Sequence, residues 1–199
     1  MFKKLLTFTL CSILSGPILA KTILIDGQPI EIGDINVNGT GCPDGSVTAT
    51  ATNDNKNIAI LFSNYSAITN SANPIATSDC NIALPLSVEP GFSVGILDID
   101  WRGTVFSAPD ALINFHREYF FSGSQGPSHD NNWNGTGFEN FLVNDRPPFV
   151  YYSGCDGEAL IARADTAATV IGADSLFSLR SADVGAELLL HVQVIPCEE

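Results

Sequence analysis

The segment Phe92-Ser-Val-Gly-Ile-Leu-Asp-Ile-Asp-Trp-Arg-Gly-Thr-Val105 decides the fold, because apolar and polar residues alternate along its second half. A period of two is typical of a strand with one face buried and one face in water. The predicted buried face holds Leu97, Ile99 and Trp101, and the predicted polar face holds Asp98, Asp100 and Arg102. Gly103 predicts a bulge or bend near the end of this strand.

Similar segments lie on both sides of this strand. Residues 22–32 predict a hairpin around the turn signal Asp26-Gly27, and residues 46–62 predict a second hairpin. Cys80–Val88 alternates as well, and Pro85 within it predicts an edge strand, because proline donates no ladder hydrogen bond. Further strands are predicted at Ile113–Phe121, Phe149–Tyr152, Ala159–Ala164, Leu176–Leu179 and Glu187–Ile195.

About eight or nine short strands predict an all-β protein, either an antiparallel β-sandwich or a jelly roll, with a β-barrel as the alternative. The alanine-rich segment 159–171 is also compatible with a short helix. Residues 122–148 interrupt the strand pattern with glycine, proline and asparagine, and they predict a long polar loop.

Residues 1–20 have the layout of a secretory signal peptide, with a basic start, a short apolar stretch and Ala20 at the cleavage site. Residues 21–199 are then one domain. Removing Lys3 and Lys4 leaves seven basic residues against 22 acidic ones, a net charge of −15 where the whole chain has −13. This charge repels nucleic acid and anionic membranes, and no later segment is long and apolar enough to span a membrane.

Four of the five cysteines lie after the predicted signal, at Cys42, Cys80, Cys155 and Cys197. Export to an oxidising compartment, secreted or periplasmic, predicts two disulfides, and no pair has the close spacing of a zinc knuckle. Three pairings are possible. We predict the local one, Cys42 with Cys80 and Cys155 with Cys197, because it closes each loop at the least entropic cost.

A set of ordered motifs covers most of the chain from about Asn36 to Cys197. It includes Gly39-Thr-Gly-Cys42-Pro-Asp-Gly-Ser-Val47, Asp79-Cys80-Asn-Ile-Ala-Leu84, Asp98-Ile-Asp-Trp-Arg-Gly103 and Glu118-Tyr-Phe-Phe-Ser-Gly123. In order and spacing these motifs resemble the family called domain of unknown function 4360. The resemblance implies a small secreted protein with disulfides, and it supplies no activity and no functional residues.

Asp98 and Asp100 are the candidate metal ligands, because their carboxylates would project from the same face of one strand. Such a pair can bind Ca²⁺, which takes oxygen ligands and is the one cofactor that the sequence suggests. It can also supply the acid and base of a glycoside hydrolase. Arg102 on the same face offers a third interpretation, a surface row of opposite charges.

Aromatic and amide side chains meet in the predicted loop. Trp133, Phe138, Asn132 and Asn134 are the candidate ligand-binding residues, because exposed rings offer contact area and amides offer donors and acceptors. The alternative is that the aromatic rings, Phe141 included, pack the loop onto the sheets.

Together these features predict a non-enzymatic binding or envelope-associated protein whose ligand is a carbohydrate or a protein. A secreted hydrolase and a protease inhibitor are the alternatives. The chain lacks the Gly-x-Ser-x-Gly pattern of a nucleophile elbow, and Arg146-Pro147-Pro148 is the candidate for an inhibitory loop.

Overall fold

The computed structural model describes residues 21–25, 27–52, 54–121, 124–179 and 188–198, so the predicted signal peptide lies outside the described residues. The described part of the chain contains fifteen β-strands and no helix. The strands are β1 (Lys21–Ile25), β2 (Gln28–Ile32), β3 (Asn36–Asn38), β4 (Val47–Ala51), β5 (Asn57–Phe62), β6 (Ser66–Ile68), β7 (Ile75–Val88), β8 (Phe92–Ser107), β9 (Leu112–Phe121), β10 (Ser124–Asn134), β11 (Gly137–Asp145), β12 (Tyr151–Tyr152), β13 (Leu160–Ile171), β14 (Leu176–Ser178) and β15 (Leu188–Pro196).

The strands form two antiparallel sheets. The first has the order β1-β2-β7-β13-β9-β10, and β3 also pairs with β7. The second has the order β4-β5-β15-β8-β14-β6, and β11 and β12 also pair with β8. The described strands do not close into a barrel, so the predicted all-β sandwich is confirmed.

Aromatic side chains from both sheets meet in the core between them. Trp101 of β8 contacts Phe115 of β9 edge to face, with ring centroids 5.4 Å apart, and Phe115 contacts Phe177 of β14 at 4.8 Å. Such tilted contacts add to the free energy gained by burying the rings. The core is therefore made by the inward-facing side chains of both sheets, which alternate with outward-facing ones along each strand as the period of two predicts.

The predicted hairpins are confirmed, because β1 pairs with β2 and β4 pairs with β5. The helix considered for residues 159–171 is wrong. These residues form β13, the strand between β7 and β9, with every second side chain buried from Leu160 to Val170. Small alanine side chains suit this central position because they let the facing sheet approach closely.

The predicted long polar loop at residues 122–148 is wrong over most of its length. Its residues form β10, which pairs with β9 in the first sheet, and β11, which pairs with β8 in the second. Their period of two is hard to see because polar Asn131 and Asp145 occupy positions that face into the sandwich. Arg117 satisfies both of them through hydrogen bonds.

Pro85 does not mark an edge strand, since β7 pairs with β13 on one side and with β2 and β3 on the other. The oxygen of Pro85 accepts a hydrogen bond from Gly33 N at 2.9 Å, in the short gap between β2 and β3. The N–H and C=O of one strand residue point to the same side. The position where Pro85 lacks an N–H group therefore faces the gap between β2 and β3, where the ladder of hydrogen bonds is already interrupted.

The bulge predicted at Gly103 lies instead at Leu97. The pairing of β8 with β15 shifts register here, so that Ile96, and not Leu97, shares the buried face with Ile99. Gly103 is needed for a different reason. A Cβ there would lie 2.3 Å from the backbone oxygen of Ser178 and 2.7 Å from the Phe141 ring.

Both predicted disulfides are confirmed. Cys42–Cys80 ties the segment before β4 to β7, and Cys155–Cys197 ties the segment after β12 to the end of the described chain. They span 38 and 42 residues in sequence. On the chain-entropy account, each contributes about 4 kcal/mol by restricting the unfolded chain.

A buried ion pair joins the two sheets. Arg117 of β9 donates from Nε and Nη2 to Asp145 of β11 at 2.7 and 3.0 Å, and the two side chains are 1% and 5% exposed. Tyr119 also donates its hydroxyl to Asp145, at 2.5 Å. Burial, and then the charge of Asp145, raise the pKa of Tyr119 well above its ordinary value, so this hydroxyl stays protonated and keeps donating.

Candidate functional site

The structure brings the two predicted metal ligands into a larger cluster on the outer face of the second sheet. Here β15, β8 and β11 lie side by side, with His191 opposite Asp98 and Asn144 opposite Asp100. Arg146 follows directly after β11. These five residues are called the acidic cluster below.

Donors surround both carboxylates of the acidic cluster. Asn144 Nδ2 donates to Asp100 Oδ1 at 2.7 Å and to Asp98 Oδ1 at 3.3 Å. His191 Nε2 lies 3.0 Å from Asp100 Oδ2 and 3.4 Å from Asp98 Oδ1. Arg146 Nη2 donates to Asp98 Oδ2 at 3.5 Å. Each of the four carboxylate oxygens therefore has a donor within the cluster.

The hydrogen bonds of the cluster decide the ionisation of Asp100. Partial burial raises the pKa of Asp100, but the hydrogen bonds from Asn144 and His191 outweigh it and bring the pKa below its ordinary value. The proposed row of opposite charges with Arg102 is a minor part of this arrangement. Sequence reasoning missed Asn144 and His191 because they lie 44 and 91 residues from Asp100.

We expect the stabilising effect of Asp100 to disappear as the pH falls through its lowered pKa. A carboxyl group with a lower pKa in the folded state stabilises the fold above its unfolded pKa of about 4, and this effect is lost below the folded pKa. Melting temperatures of the wild type and Asp100→Asn, measured from about pH 6 to pH 2, test this. The difference between them should shrink toward low pH. A constant difference would contradict the expectation.

The chemistry open to the acidic cluster is limited by its own hydrogen bonds. One ligand atom each from Asp98, Asp100 and His191 lie within 4.8 Å of one another, so a cation would have to displace the donors already present. Ca²⁺ binding at Asp98 and Asp100 stays a prediction. The single amide of Asn144 donates to both carboxylates, so the two groups lie side by side. The acid and base of a glycoside hydrolase must instead lie on either side of the sugar.

A row of apolar side chains crosses the same outer face at the other end of β8. Ile68, Leu176, Phe106 and Phe138 are successive partners across β6, β14, β8 and β11. Ile68 is 64% exposed and Phe138 is 68% exposed. We call these four residues the apolar strip. Thr104 donates to Asn140 Oδ1 at 3.0 Å in the row beside it.

The four predicted ligand-binding residues do not form one site. Trp133 is 6% exposed and packs against Phe141, with ring centroids 4.9 Å apart, so the structure contradicts an exposed anchor and shows the packing alternative. Asn132 and Asn134 are exposed on β10 in the first sheet. Phe138 belongs to the apolar strip of the second sheet. The neighbours of Phe138 are determined by the register of four strands, and a local sequence pattern does not show that register.

Comparison with known proteins gives three findings. A family model described as Domain of unknown function (DUF4360) matches residues 28–197. A protein of Arthroderma benhamiae named "Uncharacterized secreted protein" is 23% identical over 180 residues, which is 86% of this chain and 74% of that protein. The structure of TmCBM61 in complex with β-1,4-galactotriose is 10% identical and covers 81% of this chain and 88% of its own. Its TM-score of 0.27 is too low to indicate a shared fold.

The described residues contain no helix that is long and apolar enough to cross a membrane.

Proposed function

Since the chain belongs to this family of unknown function, we propose its role from its own surface. It is an exported binding protein without enzymatic activity, and the apolar strip is its contact surface for another protein. The observation that carries the proposal is the row of apolar side chains in register on the outer face of the second sheet, where Ile68 and Phe138 are largely exposed. Contiguous exposed apolar residues with a polar border mark interaction surfaces.

Export is supported by three independent features. The layout of residues 1–20 fits a secretory signal. Two disulfides form and persist in oxidising compartments. The relative from Arthroderma benhamiae is named a secreted protein. A secreted or periplasmic location follows from these features as part of the proposal.

Charge favours one kind of partner. The chain has a net charge of −13, and the acidic cluster lies on the same face as the apolar strip. A second copy of this chain and an anionic membrane would both be repelled. A protein with an apolar centre and a basic border would fit, because electrostatic complementarity steers association and fixes the register of two surfaces.

The two alternative functions receive less support. The acidic cluster lies on a sheet face with all its carboxylate oxygens hydrogen-bonded, which does not suit a general acid. In the segment considered for protease inhibition, Arg146 contacts Asp98 and Pro147 is buried. That arrangement does not suit a loop offered to a protease.

Photo-crosslinking in the producing cells tests the proposal. We expect p-benzoylphenylalanine at position 138 or 106 to give one discrete adduct with another protein. The matched control is position 24, because Leu24 is also exposed but lies on the first sheet. The isolated partner should then bind Phe106→Ser and Phe138→Ser about tenfold or more weakly, as expected of aromatic residues central to an interface.

Three results would count against this proposal. One is the absence of an adduct at both positions of the apolar strip. Another is an equal yield of the same adduct at position 24. The third is an adduct of two copies of this chain, which would assign the strip to self-association.

A further inference from the structure

A polar groove lies on the outer face of the first sheet, away from the acidic cluster and the apolar strip. Register builds it: Asn36 of β3, Ala83 of β7 and Arg163 of β13 form one row, and Asn38, Asn81 and Asp165 form the next. The small side chain of Ala83 leaves space between the taller side chains of β3 and β13. The groove has a volume of about 480 Å³, within the usual range for small-ligand sites, and exposed Ile161 continues its wall.

One carboxylate oxygen of Asp165 lacks a hydrogen-bond partner among the described residues. This atom, Oδ1, is buried. The residue paired with Asp165 on β9 is another acid, Glu118, whose Oε1 accepts a hydrogen bond from Gln125 at 2.5 Å. Buried polar atoms in native proteins almost always have a partner. The carboxylate of Asp165 therefore keeps acceptor capacity that no described residue uses.

The other lining groups indicate the chemistry of a molecule that the groove would bind. Arg163 lines the groove, and its guanidinium lies 5.9 Å from the centroid of the Phe120 ring on the neighbouring strand β9. Arg163 and Asp165 cancel in formal charge, and three asparagine amides each offer a donor and an acceptor. Positions two apart on a strand are about 7 Å apart. That spacing suits hydroxyl groups on opposite sides of one ring better than the adjacent charges of an amino acid.

We propose that this polar groove binds a neutral saccharide, with Asp165 accepting hydrogen bonds from its hydroxyl groups. Asn81 and Arg163 bind neighbouring hydroxyl groups, and Ile161 contacts the apolar C–H face of the sugar ring. This site lies on a different sheet from the apolar strip, so it is a second binding site that does not depend on the protein-binding role.

An array of neutral oligosaccharides, followed by calorimetric titration of the best-bound member, tests the proposal on the full mature chain. We expect Asp165→Ala and Asn81→Ala each to weaken binding about tenfold or more, because charge-assisted and buried hydrogen bonds are lost. Thr169→Ala, an outward position of β13 beyond the groove, is the matched control and should bind like the wild type. Phe138→Ser should also leave saccharide binding unchanged.

Melting temperatures distinguish a variant that has lost only ligand binding from one that no longer folds. Asp165→Ala should melt at or above the wild-type temperature, because it removes a carboxylate that faces Glu118 across two strands. The proposal is overturned if no neutral oligosaccharide on the array binds. It is also overturned if Asp165→Ala binds as well as Thr169→Ala, or if Phe138→Ser alone abolishes binding.

Discussion

Asp145→Ala is expected to lower the free energy of unfolding by about 3–5 kcal/mol, because it leaves the guanidinium of Arg117 buried and unpaired. Asp145 accepts two hydrogen bonds from Arg117 and one from Tyr119, and both members of the ion pair are almost inaccessible to water. Unlike an exposed pair, this one is not weakened by solvent screening. Urea unfolding followed by tryptophan fluorescence measures the change, since Trp101 donates to Tyr119 in the same network.

A double variant provides the control. Arg117→Met combined with Asp145→Leu removes both charges at similar volume, and buried pairs replaced in this way often lose little or no stability. We therefore expect the double variant to be more stable than Asp145→Ala alone. If Asp145→Ala loses less than about 1 kcal/mol, the pair does not hold the sheets together as the geometry indicates.

Trp133→Ala is expected to lower the free energy of unfolding by about 3–5 kcal/mol, the usual cost of removing a buried aromatic side chain. Trp133 is 6% exposed and contacts the rings of Phe141 and Phe177 at 4.9 and 6.3 Å. Alanine would leave a cavity between β10 of one sheet and strands β11 and β14 of the other. Thermal and urea unfolding both measure this loss.

Asn132→Ala is the matched control for Trp133→Ala. Asn132 is the preceding residue of β10 and its exposed side chain points to the opposite face. It should change stability by about 0.5 kcal/mol or less, as exposed substitutions usually do. Equal effects of the two substitutions would mean that the indole does not contribute to the core.

The sequence predicts those strands that can be recognised from the residue pattern within the strand itself. In β7 and in the second half of β8, from Ile99 onward, the buried residues recur at every second position, and Asp26-Gly27 marks a hairpin between adjacent strands. The disulfide pairing was also predictable, because each bond joins cysteines about forty residues apart and closes the shorter loops.

Features that depend on long-range register were not predictable. β10 and β11 looked like a loop because Asn131 and Asp145 place polar groups inside the sandwich, where Arg117 and Tyr119 of β9 donate hydrogen bonds to them. Asp98 and Asp100 were found as a pair, but His191 and Asn144 come from strands that pair with β8 on its two sides. The apolar strip likewise needs four strands in register before its residues become neighbours.

The position of β15 has a consequence for the order in which the protein folds. The last strand of the described chain lies between β5 and β8, in the middle of the second sheet. That sheet cannot be completed until the C-terminal segment is available, and pairings this distant in sequence form slowly because of their loop-closure cost. The strand order thus delays completion of the second sheet until β15 is available. Such a delay is compatible with the export proposed above, followed by formation of the two disulfides.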